Sequence, residues 1–292
     1  MVGSTTIDCN IFEAGRRLKL GGVTTYAGLT YRRRGLAVRV VTRVAAAHLP
    51  LLSRLTDAGI RLDVPAGRFT THFVNRFRGG ARTQEMPFCA EPIGSIQVRQ
   101  VLDAVDCIHL GPLHPADLED EVYHLLRRWP GEVVLDVQGL VRRVASGSIA
   151  PGACEALPLA LAAADIVKAD AAELQTMLAA LGADLPGVMA ACGIRETVVT
   201  EQERGGVIYG PGRSRHAFRA EPAPEVEDPT GAGDVFLAAY SLARLADGLE
   251  VAPAALQAAR AAARQIAGGH IPRTMLELDE AEAGPLRPPA AD

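Results

Sequence analysis

Asp228-Pro229-Thr230-Gly231-Ala232-Gly233-Asp234 is the stretch whose reading decides the fold. The apolar run Val235, Phe236, Leu237, Ala238, Ala239, Tyr240, Leu242 and Leu245 follows it directly, with helical spacing. The glycine turn therefore opens a helix. The first turn of a helix has unpaired N–H groups and a partial positive charge, so it receives anions. Gly231 and Gly233 allow the backbone to approach such an anion with no Cβ in the way. Asp234 stands in that first turn, where a carboxylate is electrostatically awkward unless it has a task. The matching task is to take the proton of a hydroxyl that attacks a phosphate. For a bare G-x-G-D, simple capping by Thr230 and Asp234 is an equally open reading.

Working outward, short β-branched or apolar runs alternate with helical patterns. Strands are expected at 38–41, 107–110, 132–137, 166–168, 197–200 and 206–209. Helices are expected at 24–33, 49–58, 96–104, 116–128, 155–163, 172–181 and 188–192, with an Ala-rich helix at 254–267 that stops at Gly268-Gly269. Such alternation implies a mostly parallel sheet covered by helices on both faces. One segment breaks the pattern. Phe69, Thr71, Phe73, Asn75 and Phe77, then Gly79-Gly80, then Ala81, Thr83 and Glu85 have a period of two about a tight turn, the mark of a β-hairpin. From Leu276 the tail is acidic and then Pro/Ala-rich, and little core is expected from it.

Composition narrows the classes of function. The chain has 292 residues and a net charge of −4, which argues against a nucleic-acid partner. No run of 18 apolar residues predicts a membrane span, and the start carries no pattern of a signal peptide, so a cytoplasmic protein is expected. The five cysteines are scattered and form neither a C-x-x-C pair nor a zinc spacing, as reduced thiols would be. Lys19 and Lys168 are the two lysines, and no G-x-x-x-x-G-K-S/T string exists, so phosphates must be held without a P-loop lysine.

The seven-residue string resembles the C-terminal signature of the ribokinase-like (PfkB) carbohydrate and nucleoside kinases, with Pro229 where that family carries a small polar residue. The resemblance runs from Gly3 to about Ile271. It implies a ribokinase-like three-layer α/β/α sandwich with a mostly parallel central sheet and a small β lid. The kinase domain would span 1–275, with lid strands at about 9–20 and 68–88 and a tail at 276–292. It further implies that Asp234 is the catalytic base and that Gly231, Ala232 and Gly233 form the anion hole. Asp8, at the end of the first strand, would bind substrate hydroxyls. Gly21-Gly22-Val23-Thr24-Thr25-Tyr26 resembles the N-terminal signature, which places Gly22 and Tyr26 at the acceptor. Tyr26 stands where ribokinases carry a sugar-binding asparagine, a departure that speaks against ribose. Lys168-Ala169-Asp170-Ala171-Ala172-Glu173 resembles the K-P-N-x-x-E string, implying that Glu173 and Asp170 hold the water shell of Mg²⁺; acids at a helix start are an equally plain reading. Thr200 and Gly205, with Thr230, Gly231 and Gly233, would line ATP, with Gln202 replacing a glycine of the T-L-G-x-x-G segment. Ala262, Ala263 and Ile266 are candidates for an adenine wall or for plain core.

Asp136-Val137-Gln138-Gly139-Leu140-Val141-Arg142, together with Tyr26, looks like the V-D-x-Q-G-x-x-R segment of the archaeal myo-inositol 3-kinase branch. That likeness places Gln138 and Arg142 at a polyol. The expected activity is ATP-dependent phosphorylation of a small polyol or sugar, myo-inositol first, by an enzyme that pairs into a homodimer through its lid in some relatives. Another sugar or nucleoside kinase of the same fold, and a non-catalytic polyol-binding regulator, are the alternatives. A Rossmann dehydrogenase is disfavoured because no G-x-G-x-x-G follows the first strand.

Overall fold

A nine-stranded sheet forms the middle of the molecule. In spatial order its strands are Arg215–Phe218, Gly206–Tyr209, Glu196–Thr200, Ile166–Asp170, Glu132–Asp136, Cys107–Gly111, Val2–Gly3, Arg39–Val41 and Arg61–Asp63. All run parallel except Gly206–Tyr209, which pairs antiparallel with both neighbours. The inner strands are largely buried on both faces, as crossover helices require, with polar residues such as Asp136 and Lys168 toward their carboxyl ends. The computed structural model describes residues 1–79, 81–223, 226 and 228–284. Gly80 of the expected Gly-Gly turn and residues 285–292 of the expected tail lie outside the described residues. Among the described residues no single helix is long and apolar enough to cross a membrane.

A second sheet of seven strands lies beside the first: Arg142–Ala145, Ser148–Pro151, Ala81–Phe88, Thr71–Arg78, Thr6–Phe12, Gly15–Gly21 and Glu277–Leu278. The hairpin expected at 68–88 is present as Thr71–Arg78 and Ala81–Phe88. The N-terminal lid segment expected at 9–20 is two strands, Thr6–Phe12 and Gly15–Gly21. The expectation that Asp8 ends the first central strand is corrected. The central strand stops at Gly3, and Asp8 belongs to the second sheet. Period two sorts that strand's faces. Ile7 and Cys9 join Leu18 and Leu20 in the core, while Asp8 and Asn10 point the other way, with Lys19 beside them.

Two further expectations are overturned. The helix expected at 49–58 is a 3₁₀ stretch, Ala46–Leu52, running into one α-turn, Ser53–Thr56, because Pro50 has no N–H to give. The tail is not idle. Glu277–Leu278 adds an edge strand to Gly15–Gly21, and Leu276, Leu278 and Ala283 are buried.

Gly22 joins the second sheet to the helix Val23–Arg33. It precedes helix Val23–Arg33 with φ of 88°, and a Cβ there would fall on the Ser4 carbonyl oxygen. Gly22→Ala is expected to cost about 1–3 kcal/mol of stability, the range for forced backbone strain. Urea unfolding should show a lower midpoint at unchanged slope; an unaltered midpoint would contradict the conformation described.

Candidate active site

The carboxyl ends of four central strands and one end of the second sheet converge on the Asp228–Asp234 turn. At the centre lies Lys168, 5% exposed. Asp136 and Lys168 are register partners on adjacent parallel strands, and the Lys168 Nζ donates to Asp136 Oδ2 at 2.9 Å. Glu173 Oε2 lies 3.8 Å from the same nitrogen. The ammonium also sits directly beneath the anion turn: a Cβ on Gly233 would lie 3.5 Å from it. Burial alone would lower the Lys168 pKa, but Asp136 and Glu173 outweigh it and keep the group charged.

Asp234 lies in the first turn of helix Ala232–Leu245, which Gly231 enters with φ of 82°. Burial pushes the Asp234 pKa up to about 7. The carboxylates of Asp136, Asp8 and Glu173 add to the rise, while Lys168 opposes it. A base titrating near neutrality, beside helix-start N–H groups, is suited to proton abstraction. Gly233 and Asp234 have no intrahelical acceptor for their N–H groups. The Ala232 N–H, by contrast, closes a turn onto Pro229 O at 3.3 Å.

The second sheet covers this turn. Asp8 accepts from Thr6 Oγ1 at 2.7 Å and lies against Gly21, close enough to influence Asp234. Asn10 Nδ2 donates to Thr230 Oγ1 at 3.2 Å, and Lys19 Nζ donates to Asp228 Oδ2 at 2.5 Å. Tyr26 is buried, and its ring packs flat on Gly231, where a Cβ would strike it. It therefore supports the turn from below. The Gly22 carbonyl accepts the Thr25 and Tyr26 N–H groups at 3.1 and 3.2 Å.

Gln138 and Arg142 reach the cleft from the other side. The Gln138 Nε2 donates to Glu173 Oε1 at 3.2 Å, so this amide braces the Lys168 cluster. Arg142 donates to Leu113 O at 3.3 Å and lies 5.9 Å over the Phe73 ring, joining the second sheet to the central one. Thr200 is the register partner of Asp170 at the sheet end, and Gly205 has φ of 94° with its Cβ position filled by Phe218 O. Ile266 accepts the Asp228 N–H at 3.2 Å, so the Ala-rich helix Val251–Ile266 holds the turn through its last carbonyl.

Asp170 and Glu173 are engaged with each other, and with no third ligand beside them they form no direct cage for Mg²⁺ among the described residues. Asp170 Oδ1 caps helix Ala171–Leu181 by accepting the Glu173 N–H, and Glu173 Oε2 returns the bond from the Asp170 N–H. The other Glu173 oxygen is taken by Gln138, and among the described residues no group of three acidic, His or Cys side chains could hold a metal. The reciprocal capping box accounts for the three-residue spacing. The residues that sequence reasoning missed are Asp136, Lys168, Lys19 and Asn10. The scarcity of lysine was the one signal, since both lysines of the chain are buried here.

The pfkB family carbohydrate kinase model matches residues 85–275. The chain belongs to the pfkB family of carbohydrate kinases. It therefore is a phosphotransferase acting on a hydroxyl group, with the ribokinase-like fold. It is 27% identical over 270 residues to a cytidine kinase of Thermococcus kodakarensis, covering 84% of this chain and 88% of the relative. A pyrophosphate-dependent kinase of the ribokinase family, solved with a pyrophosphate analog and myo-inositol, superposes with a TM-score of 0.77 at 21% identity, covering 91% of this chain and 93% of the other. A Burkholderia thailandensis nucleoside kinase in complex with inosine gives 0.73 at 16%, covering 92% of each. At these identities the solved structures establish the fold.

Asp234 has a consequence for stability. Its folded pKa is raised from 3.8 to about 7, so the fold favours the protonated form. That contribution is full below about pH 4 and is lost as pH rises through 7. Asp234→Asn should therefore melt a few degrees above the wild type at pH 8 and with it at pH 4, while losing about 10²–10⁴ in rate. A melting difference independent of pH would contradict the raised pKa.

Proposed function

We propose that this kinase transfers the terminal phosphoryl group of ATP to a hydroxyl of a small polyol, with myo-inositol as the acceptor. Asp234 carries the reading: an enclosed carboxylate with a pKa near neutrality stands in the same turn as the N–H groups of Gly233 and Asp234. Asp234 takes the proton of the acceptor hydroxyl as that oxygen attacks. The N–H groups and the buried Lys168 ammonium offset the charge on the moving phosphoryl group. The second sheet excludes water, so the donor is spent on the acceptor and not on hydrolysis. Family kinases use ATP, some pyrophosphate, and typically Mg²⁺; here any Mg²⁺ would arrive with the donor, since no group of three acidic, His or Cys side chains among the described residues could cage it.

The covering face supports a polyol over a nucleoside. Asp8 lies on that face and can address hydroxyls, with the register pair Asn10 and Asn75 beside it as a polar lining. Its aromatic rings are already engaged. Phe12 stacks on Phe77 at 4.8 Å with Arg17 over it, and Arg142 covers Phe73. A nucleobase would need one of those faces.

A coupled assay across myo-inositol, other inositols, ribose, fructose and cytidine, with ATP and pyrophosphate as donors, tests the reading. Myo-inositol should turn over best, because a site built for several hydroxyls rejects analogues lacking one. Asp8→Asn should raise the acceptor KM about 10-fold or more, as loss of a charged hydrogen bond does, with little change in the donor KM. Turnover of cytidine with myo-inositol inert would replace the polyol by a nucleoside.

A further inference from the structure

Asp228 opens the signature turn, and it is held from three sides. Its Oδ1 accepts the Thr230 N–H at 2.9 Å, which shapes the turn from within. Its Oδ2 accepts from Lys19 Nζ at 2.5 Å and, more loosely, from Asn10 Nδ2 at 3.5 Å. Both of those residues belong to the covering sheet. Lys19 is 6% exposed, and its ammonium lies 5.6 Å over the Tyr26 ring, the same ring that supports Gly231. A buried ion pair is worth having only where further hydrogen bonds complete it, and Asp228 has them. Burial alone would raise the Asp228 pKa, but Lys19 and Thr230 hold it below the usual carboxylate range.

The orientation of Asn10 is imposed from further out. Gln84 Nε2 donates to Asn75 Oδ1 at 2.8 Å, and Asn75 Nδ2 donates to Asn10 Oδ1 at 2.8 Å. With its oxygen taken, Asn10 must turn its NH₂ toward Thr230 and Asp228. The amide ladder thus crosses three strands of the covering sheet and ends on the phosphate turn.

We propose that Lys19 is a positioning residue that, through Asp228, holds the 228–234 turn in its donor-binding shape only while the covering sheet lies over the site. If the sheet lifts, Lys19 leaves, and a buried carboxylate loses its counter-charge. The turn then loses the restraint on Thr230 and, with it, the placement of the Gly233 and Asp234 N–H groups. Phosphoryl transfer is thereby confined to the covered state. This rests on the kinase reading above, but part of its test does not.

Hydrogen exchange of the full-length protein without ligand is the first readout. In Lys19→Met, amides of 230–234 should exchange about 10-fold faster, with those of Ile166–Asp170 unchanged. Kinetics with ATP and myo-inositol, or cytidine if that is the acceptor, is the second. Lys19→Met should lose about 10² in kcat, as small misplacement does, while the acceptor KM moves by less than about threefold. It should also release more ADP per acceptor phosphorylated. Lys19→Arg should restore most of the rate. Lys19→Met combined with Asp228→Asn should be no worse than either alone, since the two act as a unit. Unchanged exchange, additive losses, or an acceptor KM effect without a kcat effect would each overturn the proposal. If neither acceptor turns over with the wild type, the functional reading fails, and the exchange data still decide the role of Lys19.

Discussion

The Lys168 ammonium, buried between Asp136 and Glu173 and beneath Gly233, is the interaction on which the rest of the site depends. Four carboxylates, Asp8, Asp136, Glu173 and Asp234, lie close enough to perturb one another. Without a cation among them, these like charges would repel strongly in a low dielectric and drive one another's protonation. Lys168 keeps that charge tolerable, and Asp234 is raised to about 7. Breaking such a buried cluster at one member leaves the others uncompensated, so its geometry is narrowly specified.

The site is assembled from elements far apart in sequence. Strand ends of the central sheet provide Asp136, Lys168, Asp170 and Thr200, as the rule for open α/β sheets leads one to expect. The signature helix provides its first-turn N–H groups and Asp234. The covering sheet provides Asp8, Asn10 and Lys19, and even the C-terminal strand Glu277–Leu278 serves by extending that sheet. Tyr26 shows how tightly the parts fit: its ring fills the space that any side chain at residue 231 would occupy.

What the sequence made legible is what is local. The 228–234 turn, its helix and Asp234 are contiguous, so their meaning survives without tertiary information. The alternation of strands and helices is legible for the same reason. Asp8 was misplaced because a period-two strand reads alike in either sheet, and only the pairing of Thr6–Phe12 with Thr71–Arg78 decides between them. The hairpin of Arg142–Ala145 with Ser148–Pro151 escaped notice because its four-residue strands bury little apolar surface. Asp170 and Glu173 have a spacing that serves a capping box and a metal shell equally well, and the capping box, which needs the backbone bonds to be seen, is formed here. The Asp136–Lys168 pair depends on parallel register across separate strands, which spacing along the chain does not carry.

The central claim is that burial and neighbouring carboxylates set Asp234 apart as a base that titrates at neutrality. Infrared difference spectroscopy of the carboxyl band, wild type minus Asp234→Asn, measures this directly as pH is varied. The account requires an apparent midpoint near pH 7 for the band that the substitution removes. A midpoint near 4, the ordinary carboxylate value, would show that Asp234 is an unperturbed helix-start acid and would contradict the account.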